Sequence, residues 1–545
     1  MPKNDASEKI KVTQISTQDA DSEGSIFHDD NKETRLIYPR LEIGALRVLD
    51  YSVAISESKF PFGNNFCSYY PIEESSFEVL CDTAIHPVFS SYYLDKIKVE
   101  KTETVEKGKR RYSWNTKNTP TFRYEDGAPE HSYFIPHVLG QIGYYNTKEG
   151  QVNVVSNLKD LHTWYFTNIK EVYNEEINAE IKNLSDSLTR NKSSELEKVE
   201  AIYYWVQDNI KYIAFEEGIN GFVPRQPSAI IQKRYGDCKD MAALIFAMLK
   251  SVDIKSYLCW TGSRDLPYKY TDFPSSFCDN HMITVYKNEG KNYFLDATNS
   301  FLPFNGVASF TQGKEVLVNL DETHCEVLEM PIPNEKYSTM TDTTYISITG
   351  KKIAGNGHLS LDGYYNQFIH PILYEVQKDK IDEAASGLIR KGNNSCKVQN
   401  VKVVNLTNRD KPLELFYDYS VENYVTSLDN EIYINLILDK EISSGELKKD
   451  RTIPFQFEFK TADTYTTVLK IPEGYSVKSI PKDVNYTSNT IDFSIQYKQV
   501  NNEIFMTLKL DIKTLLLQPS EFPEWNQFWT LSKSAMSQSL VLIKK

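Results

Sequence analysis

The chain has 545 residues, with 61 Lys and Arg against 74 Asp and Glu, and a formal net charge of −13. At about 150 residues per domain, this length predicts three or four domains and excludes a single small module. The acidic balance argues against nucleic acid or an anionic membrane as the main partner, because phosphate groups are bound by clustered Lys and Arg. With 40% hydrophobic and 25% charged residues, the composition is that of a folded globular chain.

Membrane and export signals are both missing from the sequence. No stretch approaches the ~20 apolar residues of a membrane-spanning helix. The chain begins Met-Pro-Lys-Asn-Asp, without the apolar core of a secretory signal, which predicts a chain that is not exported or one whose signal has been removed. Its seven cysteines are an odd number without a CxxC pair, so we expect no disulfide framework and at least one free thiol.

The first part of the chain carries strand signals. Residues 1–35 are polar and predict a loose lead-in. Runs rich in β-branched and aromatic residues, separated by Gly, Pro and Asn, predict strands at residues 51–55, 77–80, 93–99 and 111–114. The basic run at residues 107–111 predicts a solvated hairpin tip rather than a phosphate-binding patch. Residues 1–155 are therefore predicted to form an all-β, sandwich-like front domain.

The pattern changes to helices and then strands after residue 155. Apolar residues recur at steps of three and four over residues 156–189 and again after Ser194, which with Glu197 has the spacing of a capping box. A third helix is predicted from residue 238 to about 250. Short strands are predicted at residues 257–260, 281–286 and 292–296. Residues 156–330 are therefore predicted to form an α+β core.

The last part of the chain is predicted to be a β-rich rear domain, residues 331–545, after a proline-containing linker at 331–335. Alternation predicts strands at residues 344–349, 398–404, 413–419, 431–438, 455–459, 466–471 and 505–510. Helices are predicted around residues 365–388 and 523–537.

Cys238 is the first candidate for chemistry. It follows Gly236-Asp237 and precedes a strongly helical run, so its sulfur is expected at a helix N-terminus. The partial positive charge there favours a thiolate, the nucleophilic form of cysteine. A lone cysteine is more often a small buried hydrophobe, so the assignment depends on finding partners for it.

His281 and Asp296 are the candidate partners. They belong to two strand-like runs that are joined by residues 287–290, whose residue types are typical of a turn. If these four residues form the loop of a hairpin, the numbers of each pair of facing residues sum to 577. His281 and Asp296 would then be such a pair. Direct cross-strand neighbours have Cβ atoms ~5 Å apart, so the carboxylate would accept the imidazole N–H and leave the other ring nitrogen for a thiol.

These motifs resemble those of one known family. Tyr-Gly-Asp-Cys-Lys-Asp at residues 235–240, then a strand beginning Asn280-His281 and another ending at residues 295–298, resembles the transglutaminase-like superfamily of papain-like thiol enzymes. Residues 205–212 and 221–224 are similar to its bacterial branch. Residues 41–51, 471–475 and 480–481 resemble, more weakly, two β domains of unknown function that flank this core in three-part bacterial proteins.

The resemblance implies a Cys238 nucleophile, a His281 base and an Asp296 orienting acid that act through a thioester on a peptide, protein or amide substrate. It also implies export to the bacterial periplasm. The chain departs from the family in lacking an export signal and in a front domain that is short at its start, so a cytoplasmic location is the alternative. Sequence does not separate hydrolysis from transamidation, since one acyl-enzyme serves both; hydrolysis is favoured because water is always present.

Other constellations are weaker. Cys278 with His281, Cys238 and Cys259 lacks the paired spacing of structural zinc, and no cofactor motif is present, so we expect neither metal nor cofactor. Gln232 has the spacing of an oxyanion donor but is more typical of an exposed helix position, and it is left out of the triad. His131, His137 and His162, and Trp205 and Trp260, are interpreted as structural. The alternative function is a non-catalytic peptide- or glycan-binding protein that uses the core as scaffold.

Overall fold

The computed structural model describes residues 9–20, 27–28, 30–40, 42–215, 218–439 and 445–545. Of the predicted lead-in, residues 1–8, 21–26 and 29 lie outside the described residues, as does position 41. The front region contains β1 (Gln14–Asp19), β2 (Phe27–His28), β3 (Lys32–Ile37), β4 (Phe62–Asn65), β5 (Ile72–Asp82), β6 (Ile85–Tyr92), β7 (Glu100–Glu106), β8 (Lys109–Thr119), β9 (His137–Thr147) and β10 (Gly150–Asn153).

Two sheets of the front region pack face to face. One has the order β10-β9-β4 with β6 also paired to β9, and the other has the order β5-β8-β7. Trp114 of β8 is fully buried between them, with its ring 4.8 Å from Phe89 of β6 and 5.5 Å from Phe77 of β5. The predicted all-β sandwich is therefore confirmed.

Some local predictions in this region are correct and others are wrong. The turn at Lys107 and Gly108 joins β7 to β8, which confirms the hairpin tip. Residues 51–55 are not a strand: Tyr51 and Val53 are 80% and 75% exposed, and β propensity has no effect where no neighbouring strand packs. Residues 93–99 are not a strand either, because Tyr93 has a φ of 57° and starts a 3₁₀ turn.

The central region places helices against one antiparallel sheet. Its elements are α1 (Leu158–Asn174), α2 (Ala179–Thr189), α3 (Glu195–Asn209), β11 (Lys211–Tyr212), β12 (Ala214–Phe215), α4 (Pro227–Lys233), β13 (Tyr235–Gly236), α5 (Cys238–Ser251), β14 (Ser256–Thr261), β15 (His281–Asn288), β16 (Lys291–Leu295), β17 (Glu315–Asn319) and β18 (Cys325–Glu329). The sheet order is β16-β15-β14-β17-β18, and α5 packs on β15 and β14. The α+β prediction is confirmed, although β17 and β18 were not predicted.

Helix α3 begins where the sequence predicts. The Ser194 hydroxyl accepts a hydrogen bond from the Glu197 N–H at 3.2 Å, and the Glu197 carboxylate accepts one from the Ser194 N–H at 3.3 Å. This reciprocal pair satisfies two backbone donors that the helix itself cannot satisfy. Val199, Ile202 and Val206 follow on the buried face, so both the cap and the apolar period of this helix are confirmed.

The rear region is dominated by a large sheet. Its elements are β19 (Thr339–Thr349), β20 (Lys352–Leu361), α6 (Tyr364–Tyr374), α7 (Ile381–Ser386), β21 (Cys396–Val404), β22 (Leu413–Val421), β23 (Thr426–Leu428), β24 (Glu431–Ile434), β25 (Phe455–Gln456), β26 (Thr461–Lys470), β27 (Tyr475–Ser479), β28 (Val484–Thr487), β29 (Ile491–Val500), β30 (Glu503–Ile512), β31 (Leu516–Leu517), α8 (Phe522–Met536) and β32 (Leu540–Lys544). The large sheet has the order β21-β22-β20-β19-β26-β30-β29-β28, and a smaller one has the order β23-β24-β32-β27.

The β-rich prediction for the rear region is confirmed, with each predicted strand overlapping an observed one. The strands that were not predicted are β20, β23, β27, β28, β29, β31 and β32. Helix α8 covers one side of the sheet through Phe528, whose ring lies 5.4 Å from Phe493 of β29. The helix therefore closes the hydrophobic core of this region, together with Trp525 and Trp529.

All three regions contact one another. The Tyr133 hydroxyl of the front region donates to the Arg264 carbonyl of the centre at 2.6 Å, and the Arg264 guanidinium donates to the Glu458 carbonyl of the rear region at 2.8 Å. Arg451 donates to the Asp126 carbonyl at 2.8 Å, which joins the rear region to the front. The predicted limits at residues 155 and 330 fall in connections, and the division into three folding units stays a prediction. Within the described part of the chain, no helix has the length and hydropathy to cross a membrane.

Candidate active site

Cys238 is the first residue of α5 and lies half-buried at its N-terminal end. Asp237 caps the helix: its Oδ1 accepts a hydrogen bond from the Asp240 N–H at 3.3 Å, and Asp240 Oδ2 accepts one from the Asp237 N–H at 3.2 Å. Gly236 is needed for space, because a Cβ there would lie 2.6 Å from the Asp240 Cβ. The cap therefore fixes Cys238 at the positive end of the helix dipole.

The two acidic residues beside Cys238 are held in ion pairs. Arg225 Nε donates to Asp240 Oδ2 at 2.9 Å, and the Arg225 backbone N–H donates to Asp240 Oδ1 at 2.8 Å. Lys239 forms an ion pair with Asp237, and both side chains are buried. Both acids therefore serve the helix start, and their charges are neutralised locally.

His281 and Asp296 are in direct contact. His281 Nε2 donates to Asp296 Oδ2 at 2.9 Å, and only 7% and 5% of the two residues are exposed. The imidazole lies at the start of β15, and the carboxylate follows the last residue of β16. The predicted contact between the two side chains is confirmed.

The predicted register of this hairpin is wrong. Asn288 pairs with Lys291 and Thr284 with Leu295, so facing residues sum to 579 rather than 577. The turn is a two-residue one, because Glu289 and Gly290 have φ of 48° and 77°, as the tightest hairpin turns require. A shift of two residues keeps every side chain on the same face of the sheet. His281 and Asp296 are thus diagonal rather than direct neighbours, which is still within reach of their side chains.

The remaining nitrogen of His281 is available to Cys238. Because Nε2 is engaged by Asp296, Nδ1 is the ring nitrogen that can face the thiol, and a hydrogen bond between the Cys238 and His281 side chains contributes to the charge state of the imidazole. The structure therefore brings the three predicted site residues together at the edge where α5 meets the sheet.

The electrostatics of the pair favour a charged imidazole. Burial opposes the positive charge, but the charge and hydrogen bond of Asp296, with the hydrogen bond to Cys238, outweigh it and raise the pKa of His281 to about 10. For Asp296, burial alone would raise the pKa, but the charge of His281 and the hydrogen bonds from His281 and Thr298 lower it below its usual range. An imidazolium beside a thiol is the arrangement that stabilises a thiolate.

We expect the His281 imidazole to stay protonated at about pH 8, which is well above the pKa of ~6.5 of an unperturbed histidine. Because the folded pKa of about 10 lies above the unfolded value, the His281–Asp296 pair contributes stability that is fully present below about pH 6.5 and is lost as pH rises through about 10. Nitrogen-15 NMR of the imidazole ring measures this directly. Asp296→Asn, the control, should lower the pKa; a wild-type ring that loses its proton below about pH 8 would contradict the expectation.

Comparisons with known families match the three regions separately. A model of the transglutaminase-like superfamily matches residues 182–285, which include Cys238 and His281. Two domains of unknown function match on either side, DUF3857 at residues 3–123 and DUF3858 at residues 430–542. The central region belongs to the transglutaminase-like superfamily. Asp296 lies beyond the matched residues, so its place in the site depends on the contact with His281.

Two solved structures are among those that match this chain. A "putative protease" from Parabacteroides distasonis ATCC 8503 has 12% identity and a TM-score of 0.54, and the match covers 89% of this chain and 76% of that one. A "putative cysteine protease" from Cytophaga hutchinsonii has 15% identity and a TM-score of 0.20 over 50% of this chain and 94% of that one. The first likeness shows a shared fold across the three regions. No functionally curated protein matches the sequence significantly.

The Asp296 carboxylate of the transglutaminase-like core is held on its second oxygen as well. Asp296 Oδ1 accepts hydrogen bonds from the Thr298 N–H at 3.1 Å and from the Thr298 hydroxyl at 2.6 Å. Such a turn, closed by an Asp side chain two residues before a Thr, fixes the rotamer of the carboxylate. Each oxygen thus has a defined donor, and Oδ2 is directed to His281.

A chain of hydrogen bonds connects the backbone of Asp296 to the rear region. The Tyr203 hydroxyl donates to the Asp296 carbonyl at 2.9 Å, and Gln207 Nε2 donates to the Tyr203 oxygen at 2.9 Å. Arg409, in the loop between β21 and β22, donates from Nη1 to Gln207 Oε1 at 2.6 Å and also pairs with Asp208. The position of Asp296 is therefore linked to an arginine outside the core.

The rear region also packs on the loop that follows Asp296. The Phe301 ring stacks on His370 of α6 with centroids 4.6 Å apart, and it contacts Tyr374 edge-on at 5.4 Å. The Tyr204 hydroxyl accepts a hydrogen bond from the Phe304 N–H at 2.9 Å. The loop is thus clamped between α3 and α6.

Phe310 forms a wall beside the imidazole. Its ring lies edge-on to His281 with centroids 5.1 Å apart, and 36% of the residue is exposed. A partly exposed aromatic side chain thus gives the surroundings of the imidazole an apolar side.

The weaker candidates have structural surroundings. Gln232 is exposed on the short helix α4. His137 bonds the Ile135 carbonyl at 2.7 Å, and His162 bonds Asn319 at 3.0 Å. Cys278 donates to the Phe273 carbonyl at 3.3 Å.

The remaining alternatives concern metal and the two tryptophans. No three His, Cys, Asp or Glu side chains lie close enough to hold a metal ion anywhere in the described ranges. Trp260 is 3% exposed, in the core as predicted, and Trp205 is partly buried beneath the Arg234 guanidinium.

Sequence reasoning missed Thr298, Tyr203, Gln207 and Arg409 as groups that position the acid. An Asp-x-Thr signal was present at residues 296–298. Tyr203 and Gln207 are four residues apart and therefore share one face of α3. Arg409 has no local signal, because its contact is made across 202 residues of chain.

Proposed function

We propose that this protein is a cysteine-dependent acyl-transfer enzyme that hydrolyses an amide bond in a peptide or protein. The observation that carries the proposal is the contact of His281 with Asp296 beside a cysteine at a helix N-terminus. A nucleophile, a base and an orienting acid in hydrogen-bonding reach are the parts that nucleophilic catalysis requires. The transglutaminase-like family match and the protease names of the structural neighbours agree with this choice.

In the acylation step, the Cys238 thiolate attacks the carbonyl carbon of the scissile amide and forms a tetrahedral oxyanion. The backbone N–H of Cys238 donates to that oxyanion, together with one further donor, since a residue at the first helical position has no acceptor within its own helix. The imidazolium of His281 then gives its Nδ1 proton to the leaving nitrogen. The C–N bond breaks, an amine leaves, and a thioester on Cys238 remains.

In the second step, neutral His281 takes a proton from water as the water oxygen attacks the thioester. The C–S bond breaks, the carboxylic acid leaves and the thiolate–imidazolium pair is restored. Asp296 keeps the imidazole in one orientation and stabilises its positive charge in both steps.

Hydrolysis is favoured over transfer to an amine for an electrostatic reason. A free carboxylate near the thioester would attract a cationic amine acceptor, but the acids beside Cys238, Asp237 and Asp240, are already paired with Lys239 and Arg225. Water needs no such site.

Selective labelling of Cys238 tests the proposal against the rival, a non-catalytic binding protein. Burial raises the pKa of the six other thiols, Cys67, Cys81, Cys259, Cys278, Cys325 and Cys396. We therefore expect iodoacetamide at neutral pH to alkylate Cys238 first, as read by peptide mass mapping over time.

His281→Ala is the matched variant for the labelling experiment. It should slow alkylation of Cys238 while leaving the rates of the other cysteines unchanged, because Cys238 is the one of the seven cysteines that hydrogen-bonds that imidazole. Faster labelling of another cysteine, or a Cys238 rate that does not depend on His281, would favour the binding protein.

Activity is expected to need no metal ion, because the thiol, imidazole and carboxylate supply nucleophile, base and orienter. The measurement is turnover of wild-type protein after exhaustive chelation, followed by addition of calcium or zinc. Unchanged turnover in chelator is the expected result; a loss that calcium restores would contradict it.

We propose a periplasmic location on the basis of the family resemblance, with the cytoplasm as the alternative. Fractionation of the native host, with antibody detection of this chain, distinguishes the two.

A further inference from the structure

A cavity of about 660 Å³ lies in the rear region, away from the candidate active site. Its walls come from the large sheet, α6 and α8, and residues Glu125 and Asp126 of the front region close one side. This is the size of a pocket for a small organic molecule. None of its lining residues belongs to the transglutaminase-like core, so the cavity is independent of the proposed function.

The walls of this cavity are aromatic. Phe457 lies 5.5 Å from Trp525, and Trp525 lies 6.0 Å edge-on from Trp529. On the other side, Tyr365 contacts Phe459 edge-on at 5.3 Å. Ring faces carry partial negative charge, so such walls favour an apolar body that bears a positive charge.

One carboxylate lies among these rings without a counter-charge. Asp463 of β26 is 7% exposed and lines the cavity; its Oδ2 accepts a hydrogen bond from the Tyr365 hydroxyl at 2.9 Å. Within the described ranges, Asp463 Oδ1 has no hydrogen-bond partner and no Lys, Arg or His is paired with the carboxylate. Burial, with a small contribution from the charge of Asp511, raises the pKa of Asp463 to about 7, although hydrogen bonds from the Tyr365 hydroxyl and the Met340 backbone N–H act in the opposite direction.

The buried cation of the cavity wall is already engaged, and Lys448 and Asp126, which also line the cavity, are exposed to solvent. Arg451 donates to the carbonyls of Ile453 and Pro454, each at 2.8 Å, and also contacts Glu125. The acid at the rim is likewise paired, since Glu446 binds Lys533 at 2.6 Å. Asp463 is therefore the buried charge of this cavity that a ligand would neutralise.

We propose that the cavity binds a small organic ammonium ion, with its apolar body against Phe457, Trp525 and Trp529 and its charged nitrogen directed to Asp463. The rings supply contact area and cation–π attraction, and the carboxylate supplies the charge that distinguishes an amine from a neutral molecule of the same shape.

The test compares phenethylammonium with 2-phenylethanol, which has the same ring and stem but no charge. Binding to the full chain is measured by calorimetry at about pH 8, where the Asp463 carboxyl is mostly ionised. We expect wild-type protein to bind the ammonium at least about tenfold more tightly than the alcohol. Equal binding of the two probes, or binding of neither, would overturn the proposal.

Three variants separate charge from shape. Asp463→Asn should remove the preference for the ammonium and leave the weak binding of the alcohol, whereas Glu446→Gln at the rim should keep the preference. Phe457→Leu should weaken both probes together, and it keeps the test decisive if Asp463→Asn fails to fold. A preference that survives Asp463→Asn would contradict the assignment of this carboxylate.

Discussion

Cys238→Ala is expected to abolish acyl transfer, with kcat/KM for any substrate of the wild type reduced about 10⁴-fold or more. In the proposed mechanism the Cys238 sulfur forms the covalent intermediate, and none of the other six cysteines hydrogen-bonds His281 in its place. The fold should be unaffected, because Ala is well tolerated at the first position of a helix and Cys238 is only half-buried. Initial rates and thermal unfolding of the same preparation measure both effects.

Cys325→Ala is the matched control for this change. Cys325 is also half-buried and belongs to the same core. It lies in β18, an edge strand of the central sheet that is three strands away from β15, which carries His281. Its loss should leave turnover unchanged. Turnover that survives in Cys238→Ala, with any substrate of the wild type, would remove Cys238 from the role of nucleophile.

His281→Ala is expected to cost at least about tenfold more in kcat/KM than Asp296→Asn. The imidazole carries the proton in both chemical steps, whereas the carboxylate only orients and stabilises it. An Asn side chain keeps one acceptor oxygen for His281 Nε2. Its amide nitrogen, however, takes the place of Asp296 Oδ1, the oxygen that accepts a hydrogen bond from the Thr298 N–H, so two donors then face each other. That unpaired donor costs about 1–3 kcal/mol, so Asp296→Asn should still be impaired.

The comparison needs a histidine control and a clear failure condition. His162→Gln alters a buried histidine of the same core that bonds Asn319, and it should leave kcat/KM near the wild-type value. Equal losses for His281→Ala and Asp296→Asn would show that the carboxylate takes part in proton transfer itself, which the proposed roles do not allow.

Helix boundaries in the core were predictable because their signals are local. Ser194 and Glu197 form the capping box that their spacing indicates, and Cys238 starts the helix that the apolar run after it indicates. Such signals need only the residues within one turn of each other.

The contact of His281 with Asp296 was predicted from a register that the structure corrects. The predicted contact is still correct because side chains along a strand alternate between the two faces of the sheet. A register in which the numbers of facing residues sum to 579 instead of 577 therefore leaves both side chains on the same face. The turn itself was misjudged, since Lys287 and Asn288 belong to β15 and only Glu289 and Gly290 form the bend.

Contacts between distant segments were out of reach of the sequence. The strand predicted at residues 51–55 fails for lack of a neighbouring strand in the described ranges, and the Arg409–Gln207 bond links positions 202 residues apart. Both depend on which surfaces meet in three dimensions, and a single sequence carries no local pattern for that.

The hydrogen bond from Arg409 to Gln207 determines which part of the chain should be used in a screen for substrates. A core cut out at residues 156 and 330 would keep Cys238, His281 and Asp296 but would lose Arg409 and the ring that stacks on Phe301. The segment after Asp296 would then be anchored on one side alone. If an excised core proved inactive, the cause would thus be a poorly positioned Asp296 rather than the absence of catalytic groups. Libraries of peptides are therefore best screened against the core together with the rear region.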